Sequence, residues 1–355
     1  MPEKMNAVVC YNPEDYRFEY VDCPRVKDEE VIIKVEGCGI CAGDLKAYHG
    51  ADRFWGGEES WIKAPVIPGH EFYGRIQEIG KIAAKKNELK IGDLITAEQI
   101  IPCGKCYYCK HGKYWKCEIQ NIYGFQKDIA NGGMAEYMKI VENSIIHKVP
   151  KSLTMEEASM IEPLANAIHV VERAEVNFQD IVVLAGAGNI GLLIVQLLSL
   201  KTPKKIVVLD INNERLSIAK KLGADFCINP KEENLTEIIH EITDGYGCDI
   251  YIEATGSSAG IKQGLNIIRK LGKFIEFSLF GEEVMIDWNI ISVKKELDIR
   301  GSHLSPYAYP IAINLLQRKK IKVDRIVTHI FNLKEFKDAF KKAGSSDSIK
   351  VLLKP

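Results

Sequence analysis

The sequence predicts an α/β protein, a doubly wound parallel sheet joined to a second, β-rich domain. Three observations predict it. A glycine-rich turn, GAGNIG at 186–191, links an apolar strand pattern to a helical one. Strand and helix patterns then alternate to about residue 302, as in an open sheet with helices on both faces. Residues 1–155 instead break into short Val, Ile, Gly and Pro segments, as in a loop-heavy β domain. A length of 355 residues suits two domains. We assign 1–155 and 304–355 to one domain and 156–303 to the other.

Composition narrows the function classes. Apolar residues make up 46% and charged residues 27%, as in ordinary globular proteins. A net charge of −1 offers no general attraction to nucleic acid or to an anionic membrane. The N-terminus, MPEKMNAVVCYNPEDY, has no signal-peptide pattern, and no apolar run approaches the roughly 20 residues that span a bilayer. The expectation is a cytosolic protein in a reducing compartment, where ten cysteines serve as thiols or metal ligands rather than disulfides.

Along the chain, residues 38–44 read CGICAGD and 68–71 read PGHE. Cys38 and Cys41 have the spacing of a redox pair, and His70 alone could be a hydrogen-bonded core histidine. Together, a cysteine, a histidine and a carboxylate form a mixed ligand set with one position open, which is the character of a catalytic zinc site. Residues 103–117, CGKCYYCKHGKYWKC, place Cys103, Cys106, Cys109 and Cys117 in the spacing C-x2-C-x2-C-x7-C. An iron–sulfur run has three residues before its last cysteine, followed by proline; here there are seven, followed by Glu118. Four thiolates around a structural zinc fit better. The interleaved lysines and aromatics also resemble a nucleic-acid-reading ribbon, against a plainer solvated face on a metal-pinned loop.

DIVVLAG, 180–186, is a buried parallel strand. Gly186, Gly188 and Gly191 follow in G-x-G-x-x-G spacing, then the helix NIGLLIVQLLSLK and the strand KKIVVLD ending at Asp210. This is the dinucleotide-binding pattern of a Rossmann unit. The first glycine allows the turn, the second lets backbone approach a pyrophosphate, and the third lets helix and strand pack closely. The helix N-terminus presents N–H groups to phosphate, and Asp210 can accept from ribose hydroxyls. NERLSIAKKLGA is the next helix and FCIN a strand. ENLTEIIHEIT is a helix, CDIYIEATG a strand, SSAGIKQGLNIIRKLG a helix, KFIEFSLFG the fifth strand and ELDIRGS the sixth. The cofactor should lie at the strands' carboxyl ends, near Thr255, Gly256, Phe277 and Ser278.

At this point the chain resembles the zinc-containing medium-chain alcohol and polyol dehydrogenases over its full length. The carriers are CGICAGD, PGHE, the four-cysteine loop, IEPLANAIH (161–169), GAGNIG, DINNER (210–215) and IKVLLKP. Glu162 in EPL points to the polyol dehydrogenases, and CAGD with FWGGEE (54–59) is similar to enzymes of four-carbon polyols such as erythritol and threitol. The resemblance implies a GroES-like catalytic domain carrying a structural zinc lobe (103–117), and a Rossmann domain binding NAD. It implies Cys41 and His70 as catalytic-zinc ligands, with Glu71 and Glu162 as alternative third ligands. Asp44 would support the ligand shell, and Cys38 would be a small buried residue. Gly186, Gly188, Asn189, Ile190, Gly191, Asp210, Arg215, Thr255 and Ser278 would hold NAD. It further implies a homodimer or homotetramer, for which VMIDWNIIS (284–292) is the candidate interface or, alternatively, ordinary core.

One position departs from the family. A serine or threonine that relays the substrate proton is replaced by Gly43. Lys46 stands where some members carry a later relay histidine; a water, Tyr48 or a substrate hydroxyl could fill the gap. The segment between Asp44 and His70 carries Tyr48, Arg53, Phe54, Trp55, Glu58, Glu59 and Trp61, with Gly56-Gly57 as a hinge. Aromatic walls with a few polar groups suit a small polyhydroxylated substrate, and a surface loop packed on its own domain is the plainer alternative. His303, Tyr307 and Tyr309 are expected on the nicotinamide side. The expected reaction is hydride transfer from a secondary hydroxyl of a short polyol to NAD, giving a ketose. Threonine, sugar or simple alcohol oxidation on the same fold is the near alternative. A nucleic-acid-binding or redox-sensing zinc protein is the remote one.

Overall fold

The computed structural model describes residues 1–56, 60–126 and 129–355. The chain forms two compact units, Met1–Glu162 with Pro306–Pro355, and Pro163–Ser305. The observed divisions thus fall after Glu162 and Ser305, where the sequence reading placed them after residues 155 and 303. Helix Met155–Ser159 packs on strand Val31–Ile40, so that stretch stays with the first unit.

In the second unit six strands run parallel. In sheet order they are Phe226–Ile228, Lys205–Leu209, Ile181–Ala185, Cys248–Glu253, Ile268–Glu276 and Asp298–Gly301. Taken in chain order this is 3-2-1-4-5-6, the doubly wound arrangement. Ile181–Ala185 is buried throughout, because a central parallel strand is covered on both faces. Helix Asn189–Lys201 is buried along Gly191–Leu198, so it too is apolar on nearly every side.

One element differs from expectation. The predicted helix through Gly272 stops at Ile267, and the fifth strand begins at Ile268. Lys295 Nζ donates to the carbonyls of Leu265, Asn266 and Ile268 (2.6–2.8 Å), satisfying groups that a further helical turn would have bonded. The strand pairs Ile268 with Cys248, bulges at Leu271 (φ +59°), and resumes at Lys273. It ends at Glu276, so Phe277 and Ser278 lie just beyond the fifth strand rather than in it.

The first unit is built on a seven-stranded sheet. The last strand, Lys350–Lys354, pairs with Val31–Ile40 in the register Val351–Ile40 and Leu353–Cys38. Val31–Ile40 also pairs with Glu71–Ile79, placing Gly39 opposite Glu71. Cys41, Glu71 and Lys350 therefore stand at one end of three neighbouring strands. Gly39 is required there, since a Cβ would lie 2.0 Å from Glu71 Oε2 and 2.8 Å from Lys350 Cε. Among the described residues no helix is long and apolar enough to cross a membrane.

Candidate active site and metal centres

Cys41 terminates its strand and caps helix Ala42–Tyr48, its Sγ accepting from Gly43 N at 3.4 Å. That cap turns the thiol toward PGHE. Ligand atoms of Cys41, His70 and Glu71 lie within 4.8 Å of one another. Asp44, the third residue of the helix, is buried behind them. One oxygen accepts from Cys41 N at 2.9 Å, and the other stands 3.6 Å from His70 Nδ1. Burial opposes a charge on His70, but Asp44, Cys41 and Glu162 outweigh it and hold the imidazole pKa well above its usual value. Glu71 is engaged by the fully buried Lys350. Burial pulls that ammonium's pKa down; Glu71, Cys41 and Glu162 more than restore it.

Glu162 stands apart from the group within 4.8 Å, because Gln99 Nε2 donates to its Oε1 at 2.5 Å, both side chains being buried. No motif marked Gln99, and Lys350, though within IKVLLKP, had no expected role. Cys38 is core, packed so closely on Gly69 and Gly133 that a Cβ at Gly69 would come 2.7 Å from its sulfur. It lies outside the ligand group that Cys41 joins, and both are free thiols. Lys46 lies half-buried in the last turn of the capped helix. The Tyr48 ring packs edge-on against Tyr16 (5.0 Å) and tilted against Phe340 (5.3 Å).

The aromatic segment does reach the cluster. Phe54 stacks on Phe125 at 5.9 Å, Trp61 packs edge-on to both, and Phe125 lies 5.7 Å from the His70 ring. Arg53 lies over Trp61 at 5.3 Å. Phe125 was missed, because it lies 55 or more residues from the other members and no local pattern marks it. Trp55 is held differently, its indole N–H donating to Ala47 O at 2.8 Å. Gly57, Glu58 and Glu59 lie outside the described residues.

The four loop cysteines also converge, with sulfurs within 4.8 Å of one another and Cys103 Sγ 4.0 Å from Cys109 Sγ. All are free thiols. Cys103 accepts from Lys105 N and Cys106 N, each at 3.4 Å, and these donors lower its pKa to about 6. A thiol poised as thiolate among three others suits a closed, sulfur-only zinc site. The first cluster also fits a dication. Cys41, Asp44, Glu71 and Glu162 supply potential negative charge, and among the described residues Lys350 is the lysine paired to it.

In the second unit Gly186 has φ +103°, a left-handed conformation that favours glycine. A Cβ on Gly191 would come 1.9 Å from Gly186 O, while nothing lies within 4 Å of one on Gly188. Helix Asn189–Lys201 has no side-chain cap, so its first N–H groups, including that of Ile190, face the open space at Gly188. Asn189 Oδ1 is buried without a hydrogen-bond partner. The glycine turn and the uncapped helix start fit a bound pyrophosphate, to which the Asn189 carbonyl, an acceptor, adds nothing. Asp210 accepts from Ala187 N at 2.7 Å and Asn212 N at 2.8 Å, bracing the glycine turn. Arg215 lies in the first turn of helix Asn213–Lys221, its backbone N–H bonded to Asn212 Oδ1. Glu253, fully buried, accepts from Thr255 N and Gly256 N and organises the loop that presents Thr255. Ser278 Oγ donates to Glu253 O at 3.4 Å.

Residues 27–151 match the alcohol dehydrogenase GroES-like domain and residues 189–318 the zinc-binding dehydrogenase domain. The chain belongs to the zinc-dependent medium-chain dehydrogenases. It is 44% identical to the erythritol/L-threitol dehydrogenase of Mycolicibacterium smegmatis over 358 residues, covering 100% of this chain and 99% of that one. Two solved structures are similar along essentially their whole length. A zinc-binding dehydrogenase from Sinorhizobium meliloti bound to NADP has a TM-score of 0.89, with 26% identity and 100% coverage of both chains. An alcohol dehydrogenase from Escherichia coli complexed with NADH has a TM-score of 0.88, with 28% identity and 100% coverage of both chains. This medium-chain dehydrogenase is therefore an oxidoreductase whose cofactors are zinc and a nicotinamide dinucleotide.

The two cysteine-containing clusters should be separable. Metal analysis of the pure enzyme is expected to find two zinc ions per chain. Cys41→Ser should lose one of them and all turnover with little change in melting temperature, whereas Cys106→Ser should lose the other and melt well below wild type. A single zinc in the wild type, with Cys106→Ser as stable as the parent, would remove the assignment of the loop.

Proposed function

We propose that this enzyme oxidises a secondary hydroxyl of a short polyol, with four carbons as in erythritol or threitol, to a ketose with NAD. The observation that carries the substrate class is the wall of Phe54, Trp61 and Phe125 leaning on His70. Phe54 and Phe125 are buried, Trp61 is half-buried beside them, and Phe125 makes the contact to His70. The full-length relative that acts on erythritol and L-threitol supports the chain length.

Cys41 and His70 would hold the catalytic zinc, with a carboxylate as third ligand, and Cys103, Cys106, Cys109 and Cys117 would hold the structural one. When bound, zinc supplies the Lewis acidity that eases loss of a hydroxyl proton, and the nicotinamide accepts the hydride. Asp44 fixes both the Cys41 backbone and the imidazole. Lys350 balances the charge of Glu71. Gly43 leaves space: a Cβ there would meet only Cys41 Sγ at 3.7 Å and Phe54 Cζ at 3.8 Å. A water or a neighbouring substrate hydroxyl carries the proton away through that space. This role for the substrate itself favours polyols over simple alcohols. On a panel read at 340 nm, kcat/KM for erythritol or threitol should exceed that for ethanol by about 100-fold or more. Trp61→Ala should lower the polyol value about tenfold with NAD⁺ affinity unchanged. Preference for threonine, or ethanol turning over as well as the polyols, would replace this reading by the near alternative on the same fold.

NAD is the preferred cofactor on this reading. Asp210 repels a 2′-phosphate, and the next basic residue is Arg215. Wild-type kcat/KM should favour NAD⁺ over NADP⁺. Asp210→Ser should narrow that ratio by about tenfold, the effect of ~1.4 kcal/mol, while weakening NAD⁺ binding through loss of the bonds to Ala187 and Asn212. Equal use of both cofactors by the wild type would refute it.

The enzyme pairs with itself on the same reading. Asp298–Gly301 is a sheet edge, with Ile299 44% exposed, and beside it in sequence stand Met285 (89%), Trp288 (73%) and Val293 (82%). An open strand edge with apolar neighbours suits a two-fold pairing of copies. Light scattering at micromolar concentration should give a dimer or tetramer, which Ile299→Lys with Val293→Lys dissociates; a monomeric wild type would sink the proposal. Free thiols and thiolate sites suit a reducing cytoplasm, where a reporter fusion to the chain should be found; its export would contradict this.

A further inference from the structure

Behind Glu162 lies a second set of buried polar groups that the ligand chemistry leaves unused. Glu98 and Gln99 are adjacent, between strands Leu94–Ala97 and Ile100–Ile101. Their side chains serve opposite partners, as successive residues of extended chain do. Gln99 holds Glu162. Glu98, 3% exposed, accepts from the Tyr114 hydroxyl at 2.7 Å and faces His147 Nε2 at 3.2 Å. Among the described residues no lysine or arginine pairs with it. A buried carboxylate is costly unless hydrogen-bonded, so these two partners fix where it sits.

Tyr114 belongs to the four-cysteine loop, three residues before Cys117. Its oxygen also accepts from Tyr307 N at 2.8 Å, and Tyr307 Oη donates back to Gly112 O of the same loop at 2.5 Å. Burial, with the Glu98 charge beside it, pushes the Tyr114 phenol up, so it stays a donor. His147 stacks on the ring of the fully buried Tyr309 (5.1 Å, 21°), whose hydroxyl faces the Gln99 backbone. Tyr307 and Tyr309, expected near the nicotinamide, thus both serve this buried group. Phenylalanine would fill the volume at Tyr114 and at Tyr309; the hydroxyl at Tyr114 is what joins loop, carboxylate and the Tyr307 backbone.

We propose that Tyr114 and Glu98 are positioning residues for the reaction. Through them the four-cysteine lobe fixes the Glu98–Gln99 segment, and so the amide that aims Glu162. The structural lobe then acts on the chemistry, not only on stability. This rests on the reading of Glu162 as part of the catalytic zinc environment.

The test uses full-length enzyme with cobalt(II) at the Cys41 site and zinc kept in the lobe, so that visible absorption reports the catalytic ligand field without turnover. Tyr114→Phe is compared with Tyr108→Phe, a lobe tyrosine more than a third exposed whose ring packs on Tyr107. We expect Tyr114→Phe to shift the cobalt bands and lower kcat for a polyol about five- to tenfold. KM should stay within about twofold, the lobe zinc should be retained, and Tyr108→Phe should match wild type. Gln99→Leu should shift the bands in the same way. If Tyr114→Phe keeps the wild-type bands and kcat, whatever its melting temperature, the proposal is overturned. If Tyr114→Phe does not fold, Glu98→Gln decides by the same two readouts. Cobalt bands that survive Cys41→Ser would instead refute the underlying metal-site reading, so the two failures are distinct.

Discussion

The first unit is organised around a buried imbalance of charge. Cys41 and Glu71 stand at the end of three neighbouring strands with Asp44 buried behind them, Glu162 on a nearby helix and Lys350 paired to Glu71. Such a group is unfavourable unless its members are paired, hydrogen-bonded or bound to a cation. Its arrangement follows from that demand. The last strand of the chain returns beside Val31–Ile40 and brings Lys350 to Glu71. Gly39 loses its side chain to make room. Asp44 is tied to the Cys41 backbone by the helix cap. A divalent metal held by Cys41 and His70 would offset the charge that remains after these pairings.

The dinucleotide unit solves a different problem with backbone rather than side chains. Its glycine turn leaves the end of helix Asn189–Lys201 uncapped, and Asp210 and Glu253 spend their carboxylates on loop N–H groups. These acids hold the strand-end loops in shape. Asp210 has lone pairs left for a ribose hydroxyl, so one residue both builds the loop and reads the ligand.

What was legible in the sequence was whatever chemistry writes as local spacing. GAGNIG, the following helix and Asp210 took their expected places because turn, helix start and strand end lie within 25 residues. The four cysteines converged for the same reason. Partners distant in sequence were not legible. Gln99 meets Glu162 across 63 positions and Lys350 meets Glu71 across 279, and neither residue type announces such a role. Trp55 and Phe54 looked alike in sequence, yet one indole satisfies Ala47 O while its neighbour joins the wall at His70. The fifth strand was misplaced because its start depends on Lys295, more than 25 residues later, closing the preceding helix.

The two glutamates beside Cys41 and His70 are held unequally, and the difference bears on which of them can move. Removing one partner of a buried ion pair costs about 3–5 kcal/mol, whereas a hydrogen bond to a charged group contributes about 1.5–3 kcal/mol net. A cation drawing on Glu71 must compete with Lys350, which is itself buried and would be left charged. A cation drawing on Glu162 competes with the amide of Gln99. Glu71 lies nearer the thiol and imidazole, but Glu162 is the carboxylate that is cheaper to release. The near acid is tied to the Lys350 ammonium and the far one to the Gln99 amide, so the two carboxylates differ in what a cation would displace.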